Sequence, residues 1–311
     1  MSIATDVKYT VSELREGSLR AVCVEGIRGL DLSKTFDCGQ CFRFEPVANS
    51  RHECEWGGIA YGKAVSFASD GGKLYIYNSD ERDFENIWYR YLGLDTDYGK
   101  IAGDILSRSD SRALSEAVEY GSGIRILRQE KWETLCSFII SQNNNIPRIK
   151  KLISSMSQKL GCQLDMSLMA AHGAFSDVGY AFPGPLAVVE AGQGVLSDLK
   201  TGFRAKYIYD AAQRVVEGRL DLSAVEILSD TAKASEMLCE IKGVGPKVAA
   251  CTLLFGFGRL DSFPVDVWIK RAIEKYFPGE FNASALGPYA GVAQQYLFYY
   301  ERYLGGENSD V

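Results

Sequence analysis

The spacing of apolar residues changes along the chain, and this change separates two regions. In the first 120 residues or so, apolar and polar positions alternate, as at Val65 and Phe67 before the turn residues 70–72. Alternation on either side of an Asp-Gly-Gly turn predicts a β-hairpin. From about residue 122, apolar residues recur every three or four positions, for example between Trp132 and Ile139, which predicts amphipathic helices.

These patterns predict an α+β protein. We expect residues 1–121 to form an N-terminal, β-rich domain with an antiparallel sheet. Residues 122–311 should form an all-α domain of two helical subdomains. A chain of 311 residues is long enough for more than one hydrophobic core. Ser223 and Glu226 have the spacing of a capping box and predict a helix that begins at Ser223.

Composition is that of an ordinary globular protein, with 46% apolar and 24% charged residues. The first thirty residues lack an apolar signal region, and no stretch approaches the roughly 20 apolar residues of a membrane span. The eight cysteines are scattered, unlike those of a disulfide-bonded scaffold. We therefore expect an intracellular protein (cytoplasmic, nucleoid-associated or nuclear) that is monomeric and does not bind membranes.

The net charge of −6 argues against a nucleic-acid partner, but the charge is uneven. Residues 121–275 hold 19 Lys and Arg against 16 Asp and Glu, whereas the remainder holds 15 against 24. Affinity for DNA depends on the few phosphates neutralised at the contact. Charge alone therefore leaves DNA binding open.

Residues 238–251 carry the most informative pattern, two helical stretches joined by the turn Lys-Gly-Val-Gly before Pro246. Proline is favoured in the first turn of a helix. Glycines allow close backbone approach, and the N–H groups at the start of a helix attract anions. Lys242, Gly243, Val244 and Gly245 are thus candidate phosphate contacts, although an ordinary helix–helix turn explains the glycines about equally well.

Lys247 and Asp266 are candidate catalytic groups. Lys247 falls in the first turn of the second helix, where the helix dipole disfavours a positive charge and so favours the nucleophilic neutral amine. Cys251 follows at i+4, on the same helix face. Asp266 precedes another helical stretch, where it could simply be an N-cap, or could also stabilise positive charge near Lys247.

This combination of a hairpin, a lysine in its second helix and an aspartate about twenty residues later resembles the helix–hairpin–helix DNA glycosylase superfamily. Lys242 stands where the superfamily usually has proline. The iron–sulfur cluster of some branches requires cysteines after Asp266, and Cys251 is the last one. We expect no cofactor. The C-terminal helix of the family should span about residues 287–304.

Further motifs resemble the 8-oxoguanine glycosylase family along nearly the whole chain. In residues 141–149, Ser-Gln-Asn-Asn-Asn-Ile-Pro-Arg-Ile, the resemblance implies that Asn143 fills the space left by a flipped base and Arg148 reads the opposite cytosine. In residues 201–207 it implies a second cytosine reader, Arg204, and a wedge, Phe203, where the family often has tyrosine.

The resemblance also implies a pocket for the lesion. The Gly39 carbonyl would accept a hydrogen bond from N7–H of 8-oxoguanine, and Gln294 would read the Watson–Crick edge. Phe298 and Cys251 would stack on opposite faces of the base. A core aromatic at helical spacing is the ordinary interpretation of Phe298. Trp268 replaces the histidine that commonly contacts the DNA backbone.

The implied activity is excision of 8-oxoguanine, and of formamidopyrimidine-guanine, opposite cytosine in double-stranded DNA. A Schiff base at Lys247 would then permit β-elimination at the abasic site. Two alternatives remain open, a superfamily glycosylase for another damaged purine and a helix–hairpin–helix module that binds DNA without catalysis. Cys38, Cys41, His52 and Cys54 suggest zinc only weakly, because a second paired ligand set is missing, so we expect no metal.

Overall fold

The computed structural model describes residues 9–173, 178–277, 279 and 281–304. Within them the strands are β1 Thr10–Glu16, β2 Leu19–Glu25, β3 Phe44–Pro46, β4 Cys54–Ala60, β5 Lys63–Asp70, β6 Lys73–Tyr77, β7 Gln163–Asp165 and β8 Val178–Tyr180. The first helices are α1 Leu32–Phe36, α2 Glu81–Asp83, α3 Tyr89–Tyr91, α4 Tyr98–Ser107 and α5 Arg112–Tyr120, with a π-helical turn at Phe84–Trp88.

The remaining helices follow the sheet in sequence. They are α6 Lys131–Ser141, α7 Ile146–Leu160, α8 Ser167–Ala171, α9 Pro185–Asp198, α10 Ala205–Val216, α11 Leu222–Ile227, α12 Thr231–Cys239, α13 Pro246–Phe257, α14 Val267–Tyr276 and α15 Ala290–Leu304. Two 3₁₀ segments, Gly202–Arg204 and Ala283–Tyr289, lead into α10 and α15. Among the described helices, none is long and apolar enough to cross a membrane.

Strands β1 to β6 form one antiparallel sheet in the order β1-β2-β6-β5-β4-β3. Asp70 pairs with Lys73 across Gly71 and Gly72, whose φ angles are +54° and +76°. Positive φ at both central residues matches the right-handed twist of a two-residue hairpin. The predicted hairpin and N-terminal antiparallel sheet are therefore confirmed.

The two faces of the sheet carry side chains of different size. Val65 and Phe67 point to a core of large residues that also includes Trp88 from the helical segment after β6. Ala64 and Ala68 point to the other face, where Met169 of α8 packs. Because successive side chains of a strand point to opposite faces, both faces of the sheet are buried. One face packs on helices of the N-terminal region, and the other packs on a segment from the helical region.

The helical region differs from the prediction in two respects. Helices α4 and α5 precede residue 121, yet Ile105 and Leu114 belong to the same core as α6 and α13. Their apolar residues follow helical spacing, and the β-rich interpretation extended too far along the chain. The region is also not purely helical, because β7 and β8 form a two-stranded antiparallel sheet beside α8.

Two helix starts also differ from the prediction. Asp221, and not Ser223, caps α11, since its carboxylate accepts from the N–H of Ser223 at 2.8 Å. The C-terminal helix begins at Ala290, about three residues later than predicted. Gly287 has a φ of +73° and Pro288 follows it, so the backbone before Ala290 forms a kinked 3₁₀ segment.

Candidate active site

The predicted hairpin lies between α12 and α13, with Pro246 in the first turn of α13. Gly243 has a φ of +79°, and a Cβ there would lie 2.4 Å from the ring of Tyr207. Only glycine therefore fits this turn. Among the described residues, the N–H groups of Gly243, Gly245 and Lys247 have no hydrogen-bond acceptor, and they form a small cluster of free donors.

In the other two hairpin residues, Lys242 and Val244, the backbone N–H is already hydrogen-bonded within the protein and is not available to a phosphate. The N–H of Val244 donates to Ile241 O at 3.0 Å, and the Val244 side chain is buried. The N–H of Lys242 donates to the Asp210 carboxylate at 2.9 Å. The Lys242 side chain is exposed, so its ammonium group is available to a ligand while Val244 serves as an anchor in the core.

Lys247 is half-buried at the centre of the site. Its Nζ donates to Ser141 Oγ at 3.2 Å and lies 5.4 Å from the centre of the Phe138 ring. Within the described part of the chain, no carboxylate oxygen lies within 4 Å of this Nζ, so the amine is not neutralised by an ion pair. The helix pair α6 and α13 positions both partners.

Cys251 lies one turn after Lys247 on the same face of α13, and its side chain is buried. Burial raises the pKa of the Cys251 thiol to about 11, while the charge of nearby Lys247 lowers it and that of Asp266 raises it. The thiol is therefore neutral near pH 7. The charges of Lys247 and Asp266 therefore both act on this thiol.

Asp266 is the N-cap of α14, and its Oδ1 accepts from the N–H of Ile269 at 2.9 Å. The cap interpretation of the sequence is thus confirmed. The neighbours Val265 and Val267 are 38% and 63% exposed, so apolar side chains reach the surface on both sides of Asp266 in the chain. Trp268 is half-buried beneath Arg271, whose guanidinium carbon lies 5.3 Å from the ring centre.

Gly39 and the C-terminal helix α15 form a second group of candidate site residues, which we call the second wall. Gly39 has a φ of +76°, and a Cβ there would lie 3.3 Å from the Phe298 ring. Gln294, one turn before Phe298, is only 4% exposed. Its Oε1 is buried without a hydrogen-bond partner in the described structure. A buried, unsatisfied acceptor is rare in proteins and marks a position where a ligand can donate.

Sequence reasoning missed the residues that hold this wall together. Gln295 donates to Cys38 O at 2.7 Å, which ties α15 to the segment before Gly39. The buried side chain of Gln40 donates to Thr35 O and Arg125 O, each at 2.8 Å. Both glutamines stand beside the residues of the predicted motif, in apolar surroundings, where a buried amide signals a hydrogen-bond network.

The turn between α6 and α7 carries the triple asparagine. Asn143 is exposed and has a φ of +47°, a conformation that asparagine tolerates better than most residues. Asn145 caps α7 by accepting from the N–H of Arg148 at 3.0 Å. Arg148 is exposed in the first turn of α7 and makes no side-chain hydrogen bond to another described residue.

Arg204 is buried against this turn, which the sequence did not reveal. Its guanidinium donates to the carbonyls of Gln142 and Asn143, the latter at 2.8 Å. Burial, and after it the charge of Arg148, lower the pKa of Arg204, so the charge of Arg148 acts on this guanidinium. Phe203, beside them, is 45% exposed, and its ring is held by contacts with Arg204 and Tyr207.

The weak zinc hypothesis finds no ligand set among the described residues, where no three His, Cys, Asp or Glu side chains converge. His52 Nε2 is hydrogen-bonded to Tyr77 Oη at 2.7 Å, and Cys54 Sγ to Ser33 Oγ at 3.2 Å. Burial raises the pKa of the Cys38 thiol to about 12, and that of Cys41 well above its usual range. Two neutral, buried thiols are poor metal ligands.

Comparison with known proteins gives matches along most of the chain. Residues 24–135 match the model of the 8-oxoguanine DNA glycosylase N-terminal domain, and residues 136–284 match that of the HhH-GPD superfamily of base excision DNA repair proteins. A probable N-glycosylase/DNA lyase of Methanothermobacter thermautotrophicus is 29% identical over 231 residues, covering 65% of this chain and 71% of that protein. N-glycosylase/DNA lyase OGG1 of Arabidopsis thaliana is 27% identical over 287 residues, covering 89% and 74%.

A solved structure is closer still. The 8-oxoguanine glycosylase/lyase of Clostridium acetobutylicum, in complex with double-stranded DNA containing cytosine opposite to 8-oxoG, is 36% identical. The match covers 97% of this chain and all of that one, with a TM-score of 0.85. Because the likeness in sequence and fold extends over nearly both whole chains, the protein belongs to the 8-oxoguanine DNA glycosylase family within the helix–hairpin–helix base-excision repair superfamily.

Proposed function

We propose that this protein excises 8-oxoguanine from double-stranded DNA in which the lesion is paired with cytosine, and then nicks the strand by β-elimination. The observation that carries the proposal is the Lys247 amine in the first turn of α13, which has no ion-pair partner among the described residues. The charge of Asp266, at the start of α14, acts on Cys251 one turn after Lys247, and the adjoining hairpin offers free N–H donors. A protein that only gripped phosphates would need neither the amine nor the carboxylate. We further propose that it acts as a monomer.

The chemistry begins with extrusion of the damaged nucleotide, because the glycosidic carbon is inaccessible inside a duplex. The neutral amine of Lys247 attacks C1′ as the C1′–N9 bond breaks, and N9 leaves with the electron pair and takes up a proton. The carboxylate of Asp266 stabilises the positive charge that develops on the sugar. Opening of the sugar ring gives a Schiff base, and loss of a C2′ proton then expels the 3′ phosphate.

Recognition of the lesion is assigned to the second wall. The Gly39 carbonyl would accept from N7–H of 8-oxoguanine, whereas guanine would present a lone pair there and be repelled. The unsatisfied Oε1 of Gln294 suits the N1–H and amino donors of the same base. Phe298 and the neutral thiol of Cys251 would lie against its two faces.

The opposite base is assigned to the two arginines. The Arg148 guanidinium has no hydrogen-bond partner among the described residues, while that of Arg204 is bonded to carbonyls of the asparagine turn. If these carbonyls move as Asn143 enters the duplex, Arg204 can exchange them for the N3 and O2 acceptors of cytosine. Phe203 presents an exposed ring suited to separating stacked bases.

The phosphate contacts are assigned to the hairpin and its surroundings. Free N–H groups of Gly243, Gly245 and Lys247 at the start of α13 suit one phosphate, and the exposed Lys242 adds a charge. Val244 is left out of the phosphate set because its N–H is already bonded. Many family members have histidine at the position of Trp268. Here Arg271, which lies over the Trp268 ring, offers a second cation in this part of the chain.

Borohydride trapping tests the proposal directly. The protein is incubated with labelled duplexes that carry 8-oxoguanine, formamidopyrimidine-guanine or guanine opposite cytosine, and both released base and trapped adduct are measured. We expect release and a covalent adduct with the two lesions and none with guanine. Tight binding without release would favour a DNA-binding module, and release of a different damaged purine would reassign the substrate.

A further inference from the structure

Ser141 is the last residue of α6, and its hydroxyl lies between a backbone carbonyl and the lysine amine. Ser141 Oγ donates to Phe138 O at 2.8 Å and accepts from Lys247 Nζ at 3.2 Å. A serine hydroxyl has one proton and two lone pairs. Because the proton is directed to the carbonyl, the face of Ser141 that meets Lys247 is an acceptor.

Among the other described groups around the amine, the hydrogen-bond partner is the Cys251 sulfur, which is a weaker acceptor than a hydroxyl oxygen. Phe138 contributes the face of an aromatic ring from α6, and Cys251 contributes a buried neutral thiol from α13. The charge of Asp266 comes from the start of α14, beyond ion-pair distance of the amine. Among the described oxygen atoms, Ser141 Oγ is thus the one that accepts a hydrogen bond from Lys247 Nζ.

We propose that Ser141 is a positioning residue for Lys247, which fixes the rotation of the amine about its Cε–Nζ bond and directs its lone pair into the site. This inference rests on the proposed role of Lys247 as nucleophile. In a neutral amine, one N–H bonded to Ser141 leaves the lone pair facing away from α6. Without that bond the amine populates more orientations, and only a fraction of them can attack.

The turn that follows Ser141 is held by Arg204. Gln142 and Asn143, directly after Ser141, accept hydrogen bonds from Arg204 through their carbonyls. The same turn therefore contacts the amine on one side and the arginine proposed for the opposite base on the other. A rigid support of this kind is what orientation of a nucleophile requires.

An effect on orientation can be distinguished from simple packing. Removal of the hydroxyl should lower the limiting rate of base release, because the amine loses its fixed orientation. Affinity for DNA should not change, because the proposed DNA contacts at Asn143, Arg148 and Arg204 remain. A side chain of the same shape that keeps the hydroxyl should restore the rate.

The test is the single-turnover limiting rate of base release from a duplex with 8-oxoguanine opposite cytosine. Ser141→Ala removes the hydroxyl, and the pair Ser141→Thr and Ser141→Val compares two side chains of equal shape that differ in that hydroxyl. Ser137→Ala, one turn earlier in α6, is the matched control for a serine lost from this helix. Melting temperature and DNA affinity of each variant are measured alongside.

We expect Ser141→Ala and Ser141→Val to lower the limiting rate about tenfold, the effect of one hydrogen bond. Their affinity for the duplex should not change. Ser141→Thr and Ser137→Ala should keep both the rate and the affinity near wild type. Equal rates for the Thr and Val variants, or a lower rate that is matched by a loss of DNA affinity, would overturn the positioning role. No release by the wild-type protein at any pH would instead refute the proposed function.

Discussion

Asp266 has two separable roles in this structure, and two substitutions can separate them. Its Oδ1 accepts from the N–H of Ile269 at 2.9 Å, which caps α14. Its negative charge also acts on the thiol of Cys251, next to Lys247. Asp266→Asn keeps an oxygen acceptor for the cap and removes the charge. Asp266→Ala removes both.

The magnitudes follow from the two roles. Asparagine caps helices about as well as aspartate, whereas alanine at a cap costs about 1 kcal/mol. For a chain of this size, that cost lowers the melting temperature by roughly 2 °C. Loss of one preorganised electrostatic group slows a reaction by about 10² to 10³-fold. We therefore expect both variants to lose excision equally, and only Asp266→Ala to lose stability.

The assay combines single-turnover release of 8-oxoguanine with thermal unfolding of the same preparations. DNA affinity, measured by titration of a labelled duplex, controls for loss of binding. If Asp266→Asn releases base at the wild-type rate, the carboxylate is only a helix cap. If Asp266→Asn melts as early as Asp266→Ala, the cap argument is wrong, and the charge contributes to folding.

Three further predictions concern other parts of the molecule. Lys247→Gln should abolish base release and the borohydride-trapped adduct but retain DNA binding in a titration, since the hairpin glycines remain. Wild-type protein should excise 8-oxoguanine opposite cytosine roughly a hundredfold faster than opposite adenine. Adenine would leave two buried polar groups without a matching hydrogen-bond partner, at about 1–3 kcal/mol each. Arg148→Ala should narrow the ratio of the two rates. Burial raises the pKa of Glu133 to about 7, despite the nearby Arg43. The folded protein therefore holds the Glu133 proton more tightly than the unfolded chain does. The contribution of this carboxyl group to the free energy of unfolding falls as pH rises from about 4.5 through 7. Glu133→Gln should accordingly gain stability over wild type at pH 8 but not at pH 4, as measured by urea unfolding.

Each of these expectations has an opposing result. Base release by Lys247→Gln would remove the lysine from the nucleophile role. Equal wild-type rates opposite cytosine and adenine, or an unchanged ratio in the Arg148 variant, would remove Arg148 from base recognition. A Glu133→Gln variant that is destabilised equally at both pH values would show that the carboxylate is ionised in the fold and stabilises it through Arg43.

The local features of the fold were predictable because they depend on neighbouring residues. The hairpin at Gly71 and Gly72 follows from the need for positive φ at both turn positions. The cap at Asp266 follows from the side-chain oxygen and the free N–H groups that begin a helix. The start of α11 was misplaced at Ser223 because Asp221, two residues earlier, offers a competing cap.

The sequence by itself also determined which residue types meet the chemistry, through the hairpin, Lys247 and Asp266. Only the tertiary structure decided what surrounds them. The Lys247 amine meets Ser141 because α6 packs on α13, and the two residues are 106 positions apart in the chain. Gly39 meets Phe298 because Gln295 ties α15 to the N-terminal segment. Arg204 is held by carbonyls of the asparagine turn. Such contacts depend on how distant apolar surfaces pack, and no local spacing of residues specifies them.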